Sequence, residues 1–301
     1  MIRHFLTLSD LTLEEHQRLF ARAAELKQRW HARTVENTLT GRTLVLVFEK
    51  ASTRTRLSFE AAMYQLGGHA ITLPYSESQL SRGEPLSDTA RVISRYSDAI
   101  MVRTFGDERL AEFTRHATVP VINGLTDGGH PTQLLADLLT VQERLGSLGG
   151  KAVAWIGDGA GNMARSWAEA ARLFDFELRI AAPEGYRLPA SDVEAAKGRV
   201  KLVGSPDDAA KDADVVTTDV WTSMGQEAEV ARRKAAFAPY RVDGKLLARA
   251  KPSAIVLHCL PAHRGEEITE EVIDSPQSAI FDEAENRLHV QKAIMVALMK
   301  R

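Results

Sequence analysis

Residues 43–60 read TLVLVFEKASTRTRLSFE, and this stretch decides the fold of the first part of the chain. The apolar run Thr43–Phe48 is typical of a buried strand in a parallel sheet. A short polar segment follows, and then an amphipathic pattern that predicts a helix ended by Gly67-Gly68. The stretch therefore predicts a strand, a loop and a helix in succession, which is the first half of a βαβ unit.

The residues that open this predicted helix are Ser52, Thr53, Arg54 and Thr55. A helix N-terminus offers free N–H groups and the positive end of the helix dipole, so it binds anions. Arg54 would add a forked cation suited to two phosphate oxygens. The segment predicts a phosphate cradle without a Gly-rich loop, and the alternative is a plain Ser/Thr cap followed by a solvated arginine.

The same alternation of short apolar strands and helix-length segments continues along the chain. It predicts βαβ units and hence an α/β fold of two doubly wound parallel-sheet domains, which bind ligands at the carboxyl ends of their strands. The predicted strands are Thr43–Phe48, His69–Leu73, Ala99–Val102, Val119–Asn123, Ala152–Ile156, Glu177–Ala182, Val200–Val203, Val215–Asp219 and Ala254–His258.

The bulk composition narrows the class of protein. The 301 residues suffice for two domains, and 44% hydrophobic with 26% charged residues is typical of a folded globular enzyme. A net charge of −2 with dispersed Lys and Arg argues against nucleic acid as a partner. The single cysteine excludes an internal disulfide and any Cys-based zinc site. Without a secretory signal or an apolar run of ~18 residues, a cytoplasmic protein with no membrane association is expected.

Polar residues follow several of the predicted strands. Arg103 comes directly after Ala99–Val102, where a guanidinium would point into an anion-binding crevice, although a surface arginine is the alternative. His130 and Gln133 open a long amphipathic helix, and an imidazole there can donate a hydrogen bond to a carbonyl oxygen that gains negative charge. A histidine that only caps the helix is the other interpretation.

The run Gly157-Asp-Gly-Ala-Gly161 suggests a dinucleotide-binding fingerprint at first sight. However, Asn162 occupies the position of the third glycine, and Glu177 opens the next strand where the ribose-binding acid should end it. The glycines are better explained by a tight strand-to-helix turn. The Asn162 amide at the helix start could then bind a carboxylate.

Two later clusters also follow predicted strands. Asp219 is placed to bind a cation, and Ser223-Met224-Gly225 predicts a flexible loop, with an ordinary turn as the alternative. Cys259 lies in His258-Cys-Leu-Pro, where a buried structural thiol and a Cys/His nucleophile pair both stay open.

Taken together, the motifs resemble those of the transcarbamoylases, the aspartate/ornithine carbamoyltransferase family. The resemblance covers the whole chain in the right order and is closest to the ornithine branch, since aspartate-specific members lack the S-M-G loop. The motifs that carry it are S-T-R-T-R after F-E-K, H-P-T-Q-x-x-A-D, D-x-W-x-S-M-G and H-C-L-P.

The resemblance implies transfer of a carbamoyl group from carbamoyl phosphate to the side-chain amine of L-ornithine, giving L-citrulline and phosphate. It implies no metal and no organic cofactor, a role in arginine metabolism with biosynthesis expected, and a homotrimer. A transcarbamoylase for a modified ornithine or for putrescine is the alternative within enzymes. A nucleotide-binding dehydrogenase or a binding module is the alternative from another class, and it rests only on the glycine run.

The resemblance also assigns site residues. Cys259 would contact substrate without forming a covalent intermediate, and Arg287 at the start of the last helix would complete the site. Gln79 would reach into the site of a neighbouring subunit. The implied carbamoyl phosphate residues are Ser52, Thr53, Arg54, Thr55, Gln79, Arg103, His130, Gln133, Cys259, Leu260 and Arg287, with Arg103, His130, Cys259 and Arg287 catalytic. The expected ornithine residues are Asn162, Asp219, Ser223 and Met224.

The expected domain limits follow from the Gly-rich segment 146–150 and from the same resemblance. Residues 1–133 should form the carbamoyl phosphate domain, residues 134–146 an interdomain helix and residues 147–284 the ornithine domain. The C-terminal helix, residues 285–301, is expected to pack back on the first domain.

Overall fold

The computed structural model describes residues 3–222 and 227–300. By its internal contacts the chain divides into two compact units. Unit 1 comprises Met1–Ala136 together with Asn286–Arg301, and unit 2 comprises Asp137–Glu285. The chain passes from one unit to the other within two long helices, α5 (Pro131–Leu145) and α12 (Ile280–Met299).

Unit 1 is an α/β layer structure around a four-stranded sheet. All its strand pairs are parallel, and the strand order is β2-β1-β3-β4. The strands are β1 (Thr43–Phe48), β2 (His69–Pro74), β3 (Ala99–Arg103) and β4 (Val121–Leu125), and the helices are α1 (Leu13–His31), α2 (Thr53–Gln65), α3 (Leu86–Ile93) and α4 (Asp107–His116).

Unit 2 repeats this plan with five parallel strands in the order β7-β6-β5-β8-β9. Its strands are β5 (Ala152–Ile156), β6 (Glu177–Ala181), β7 (Val200–Leu202), β8 (Val215–Thr218) and β9 (Ile255–His258). Its helices are α6 (Asn162–Phe174), α7 (Ala190–Ala195), α8 (Pro206–Ala210), α9 (Val230–Phe237), α10 (Gly244–Leu247) and α11 (Glu270–Ile273).

The prediction of two parallel-sheet α/β domains is confirmed, and the reason is visible in the central strands. In β1 every residue after Thr43 is buried, as a strand with helices on both faces requires. Residues of α12 from Asn286 onward belong to unit 1, where the Lys27 ammonium donates to the Asn286 side chain at 2.8 Å. No helix among residues 3–222 and 227–300 is long and apolar enough to cross a membrane.

Several strand ends differ from the sequence prediction by one residue, and two elements differ by more. The fourth strand begins at Val121 rather than Val119, because Pro120 has no N–H to contribute to the ladder. The last helix begins at Ile280, five residues before the predicted start. Its first turn carries Asp282 and Glu283, whose charges favour a helix N-terminus, so Arg287 lies in the third turn and not at the start.

Candidate active site

The strand orders place a topological switch point in each unit. In unit 1 the chain runs from β1 to β2 on one side of β1 and then crosses to β3 on the other side. The topological switch point therefore lies between β1 and β3. In unit 2 the switch lies between β5 and β8. Ligands of doubly wound sheets bind outside the carboxyl ends of strands at such points. Most of the residues named from the sequence lie at or just after the carboxyl ends of β1, β3, β4, β5, β8 and β9, whereas Gln79 follows β2 and Arg287 lies within α12.

The N-terminus of α2 has the geometry of an anion site. Ser52 caps the helix, and its side chain accepts a hydrogen bond from the Thr55 backbone N–H at 3.3 Å. The Arg54 guanidinium is half-buried and pairs with no carboxylate of the described residues. Arg56, two residues further on, is instead paired with Glu60 at 2.9 Å. Arg54 is therefore the arginine of this segment that is available to an anion.

Thr55 joins three parts of unit 1 that are distant in sequence. Its hydroxyl oxygen accepts hydrogen bonds from Arg287 Nη2 at 2.8 Å and from Arg103 Nη1 at 3.4 Å. The other terminal nitrogen of Arg287 donates to the Gln133 side-chain oxygen. Thr55, Gln133 and Arg287 are all buried. Two cations and an amide thus converge beside the N-terminus of α2.

His130 lies in the same cluster as a neutral imidazole. Burial, and then the Arg287 and Arg103 guanidinium groups, hold the pKa of His130 well below its usual value of 6.5. The Thr132 hydroxyl lies 3.3 Å from its Nδ1. A neutral ring can still donate one N–H, so the site offers a hydrogen bond at neutral pH without a third positive charge.

Sequence reasoning did not select Lys50, although it stands two residues before Ser52. Its side chain is buried, its ammonium pairs with Asp127 at 2.5 Å, and it lies 4.4 Å from the Phe105 ring centroid. The pair ties the loop after β1 to the loop that leads to His130. Adjacency to the phosphate segment was the only sequence signal for this lysine.

Gln79 does not join this cluster. It is exposed, begins the short 3₁₀ helix Gln79–Arg82, and makes no hydrogen bond with the other candidate residues in the described part of its chain. Its role in a neighbouring subunit stays a prediction.

In unit 2 the glycine run forms the tight turn that the sequence suggested. Gly157 has φ +133°, and a Cβ on Gly159 would lie 2.9 Å from the Leu188 backbone nitrogen. Both positions therefore require glycine for backbone reasons. The turn ends at Gly161, and Asn162 is the first residue of α6.

Asp219 and Cys259 meet beyond the ends of β8 and β9. The Cys259 thiol donates a hydrogen bond to Asp219 Oδ1 at 3.2 Å. Burial raises the pKa of the Asp219 carboxyl. Burial also raises the pKa of the Cys259 thiol well above the usual cysteine value, and the negative charge of Asp219 raises the Cys259 pKa further. A thiol held protonated is a poor nucleophile, which argues against the Cys-nucleophile interpretation.

His258 is locked between two partners and was not among the candidates. Its Nδ1 accepts from the Leu260 N–H at 2.9 Å, so the ring proton resides on Nε2, which donates to Glu267 Oε1 at 3.2 Å. Donor atoms of Asp219, His258 and Cys259 lie within 4.8 Å of one another, a spacing that could suit a metal. Both His258 nitrogens are already engaged, so this cluster offers no open imidazole nitrogen to an ion.

A buried arginine of α9 organises the surroundings of the switch point in unit 2. Arg233 pairs with Asp158 of the glycine turn and donates to the Trp221 carbonyl oxygen, two residues after Asp219. Its guanidinium also lies 4.7 Å from the Tyr186 ring centroid. No local pattern marks this residue, because its partners lie as many as 75 positions away.

The structure thus brings together Thr55, Arg103, His130, Gln133 and Arg287 in unit 1, beside Ser52, Thr53 and Arg54. In unit 2 it brings Asp219 to Cys259, which precedes Leu260, and it places Asn162 at the start of α6. Ser223 and Met224 lie outside the described residues. The roles of all these residues stay predictions.

Comparisons with known proteins cover the whole chain. Residues 3–143 match the family model of the aspartate/ornithine carbamoyltransferase carbamoyl-P binding domain, and residues 149–298 match that of the Asp/Orn binding domain. The sequence is 54% identical to the ornithine carbamoyltransferase of Pelobacter propionicus, over 99% of this chain and 99% of that protein.

Solved structures give the same result. The ornithine carbamoyltransferase of Burkholderia thailandensis superposes with a TM-score of 0.92 at 47% identity, covering 99% of both chains. The anabolic ornithine carbamoyltransferase of Campylobacter jejuni superposes with a TM-score of 0.92 at 43% identity, again over 99% of both.

Proposed function

This chain belongs to the aspartate/ornithine carbamoyltransferase family, and we propose that it transfers the carbamoyl group of carbamoyl phosphate to the side-chain amine of L-ornithine. The products are L-citrulline and phosphate. The observation that carries the proposal is the full-length match to ornithine-specific relatives, in a chain that also has D-x-W-x-S-M-G and H-C-L-P at the ends of β8 and β9.

Residues 1–133 with 285–301 are proposed to bind carbamoyl phosphate, and residues 147–284 to bind ornithine. The N-terminus of α2, with Ser52, Thr53 and Thr55, would hold the phosphate through backbone N–H groups. Arg54 would supply the forked cation. Because the leaving phosphate gains charge as the C–O bond breaks, these contacts would stabilise the transition state as well as the bound substrate.

The carbamoyl group is assigned to Arg103, His130, Gln133 and Arg287, with Cys259 and Leu260 contributing from the H-C-L-P segment. As the amine attacks the carbamoyl carbon, the carbonyl oxygen becomes anionic, and Arg103 and the neutral His130 would donate to it. The convergence of Arg103 and Arg287 on Thr55 supports this assignment. Removing one such donor typically lowers turnover by about 10²–10³.

Ornithine must react through a neutral amine, although a free alkylamine has a pKa of ~10.4. Asp219 is assigned to the α-ammonium, and Asn162 with the Met224 N–H to the α-carboxylate, and Ser223 is assigned to ornithine as well. Cys259 would border the reacting amine as a neutral thiol. Its hydrogen bond to Asp219 and its raised pKa support a contact role over a covalent one.

Citrulline formation tests the substrate assignment. Ornithine, acetylornithine, succinylornithine, aspartate and putrescine are compared in parallel with carbamoyl phosphate, and ornithine should be preferred. A higher kcat/KM for any other acceptor would contradict the proposal. In the same preparation, intact-mass analysis after labelled carbamoyl phosphate should show no carbamoylated Cys259, and a kinetically competent adduct would overturn direct attack.

We further propose that the protein is a cytoplasmic homotrimer that acts in arginine biosynthesis. The Campylobacter jejuni relative is an anabolic ornithine carbamoyltransferase. Large exposed apolar side chains of unit 1 support self-association; they include Leu57, Tyr64, Ile71 and Tyr96. The edge strand β2 is half-exposed, which also suits a partner surface. Light scattering should give three times the 33.2 kDa chain mass, and a monomer would refute the assembly.

The proposed trimer places Gln79 at a neighbouring subunit's site. Verified mixed trimers of an inactive Gln79 variant and an inactive Arg54 variant should recover part of the activity, because some interfaces then hold two wild-type contributions. Mixed trimers that stay inactive would argue that each chain contains its whole site.

A further inference from the structure

The loop that follows H-C-L-P, residues 262–268, contains a cluster that carbamoyl transfer does not use. His263 Nδ1 lies 4.0 Å from Glu266 Oε2 and 3.9 Å from Glu267 Oε2. One possible ligand atom from each of the three residues lies within 4.8 Å of the other two. These distances are too long for hydrogen bonds, so His263 Nδ1 bonds to neither carboxylate at the point between the three groups.

The Glu267 carboxylate is the reason to expect a ligand at that point. Its side chain is fully buried, and Oε1 accepts from the His263 backbone N–H at 2.6 Å and from His258 Nε2. Oε2 is buried and accepts no hydrogen bond from any residue in the described ranges. A buried carboxylate oxygen without a donor is costly, and it lies on the side that faces His263.

The surroundings leave this point open to a cation. Lys234 pairs with Glu266 through Oε1 at 2.6 Å, which leaves Oε2 toward the cluster. Arg264 is paired with Asp274 at 2.8 Å and is therefore occupied elsewhere. Two carboxylates against one lysine leave a net negative charge, and the half-exposed His263 side chain gives access from solvent.

We propose that His263, Glu266 and Glu267 form a binding site for a divalent transition-metal cation such as Zn²⁺ or Co²⁺. One imidazole nitrogen and two carboxylate oxygens are a donor set that zinc accepts. One ligand atom from each residue lies within 4.8 Å of the others, so an ion between them would need the side chains to close in to reach the ~2.1 Å of a zinc site. Calcium is disfavoured, because it takes 6–8 oxygen ligands.

The site would have a structural consequence for H-C-L-P. Glu267 would bind the ion through Oε2 while Oε1 keeps its hydrogen bond to His258, and His258 in turn holds the Leu260 N–H. His258 would thus be the outer-shell partner that orients the ligating Glu267 carboxylate. The proposal does not depend on the reaction that the protein catalyses.

Isothermal titration of the full-length protein with ZnCl₂ tests the proposal. We expect one equivalent bound, with affinity lowered at least about tenfold by His263→Ala and by Glu266→Gln. Glu266→Gln is isosteric and His263 is half-exposed, so both variants should keep the wild-type melting temperature. His69→Ala, which removes an exposed histidine of unit 1, is the matched control and should bind as wild type does.

CoCl₂ distinguishes this site from the neighbouring Cys259 cluster. Cobalt at the proposed site should show d–d absorption without a thiolate charge-transfer band, and Cys259→Ser should leave binding unchanged. No binding to the wild-type protein would overturn the proposal. Binding that survives His263→Ala but is lost in Cys259→Ser would overturn it equally.

Discussion

Replacing Arg233 by methionine should destabilise unit 2 and raise the ornithine requirement together. Arg233 is buried, as is most of the Asp158 side chain with which it pairs. Breaking a buried pair by removing one partner typically costs about 3–5 kcal/mol, because the remaining carboxylate is stranded. Methionine keeps the packing against Tyr186 and Phe237, so the loss should stay in this range.

Tryptophan fluorescence during urea unfolding measures this loss. Three of the four tryptophans lie in unit 2, so the signal reports mainly on that unit; these are Trp155, Trp167 and Trp221. The matched control is Lys251→Met, which removes a half-exposed partner of Asp214 in the same unit. That change should cost less than about 1 kcal/mol.

A second variant separates charge from positioning. In Arg233→Met combined with Asp158→Asn, the stranded charge is gone, while the amide oxygen of the new side chain can still accept from the Ala160 N–H as the carboxylate does. Much of the stability should return. The Trp221 carbonyl still lacks its donor, so KM for ornithine should stay raised and KM for carbamoyl phosphate should stay normal. A wild-type ornithine KM in the destabilised single variant would refute the positioning argument.

Four further outcomes are expected. Nitrogen NMR of the His130 ring should show no protonation between pH 8 and pH 6, because its pKa is held well below 6.5; an imidazolium signal at pH 6 would contradict this. Asp219→Asn should raise the ornithine KM at least tenfold with carbamoyl phosphate binding unchanged. In the wild type, kcat/KM for ornithine should fall as the pH is lowered, and the fall should begin at a pH above the ordinary aspartate range. Burial raises the Asp219 pKa, and protonation of Asp219 removes the charge that binds the ammonium. If the same fall in kcat/KM persists in Asp219→Asn, it is caused by another group. Lys50→Met should weaken carbamoyl phosphate binding about tenfold while leaving ornithine affinity unchanged, because it releases the loop containing Asp127; equal effects on both substrates would point to general destabilisation.

The sequence predicted the architecture because its signals are local. Apolar runs of strand length, glycines after helices and hydroxyl caps such as Ser52 act within a few residues. All nine predicted strands exist, and α2 begins at Thr53, directly after its cap. The errors also have local causes: Pro120 delays the start of β4, and the acidic first turn with Asp282 and Glu283 lets α12 begin before Glu285.

For the candidate site, the sequence alone determined which residue types stand at the ends of which strands. It could not determine their partners. Thr55 and Arg287 are 232 positions apart, and Arg233 finds Asp158 75 positions away, so no periodicity or spacing encodes these contacts.

Ionisation states were likewise decided only by tertiary structure. The neutral imidazole of His130 and the protonated thiol of Cys259 follow from burial and from charges brought near by folding. The burial of Glu267 Oε2, which accepts no hydrogen bond from the residues that the structure describes, likewise arises only from folding. Chain-local patterns specify elements and their order, whereas desolvation and charge–charge contact depend on distances in space, which exist only once the chain has folded.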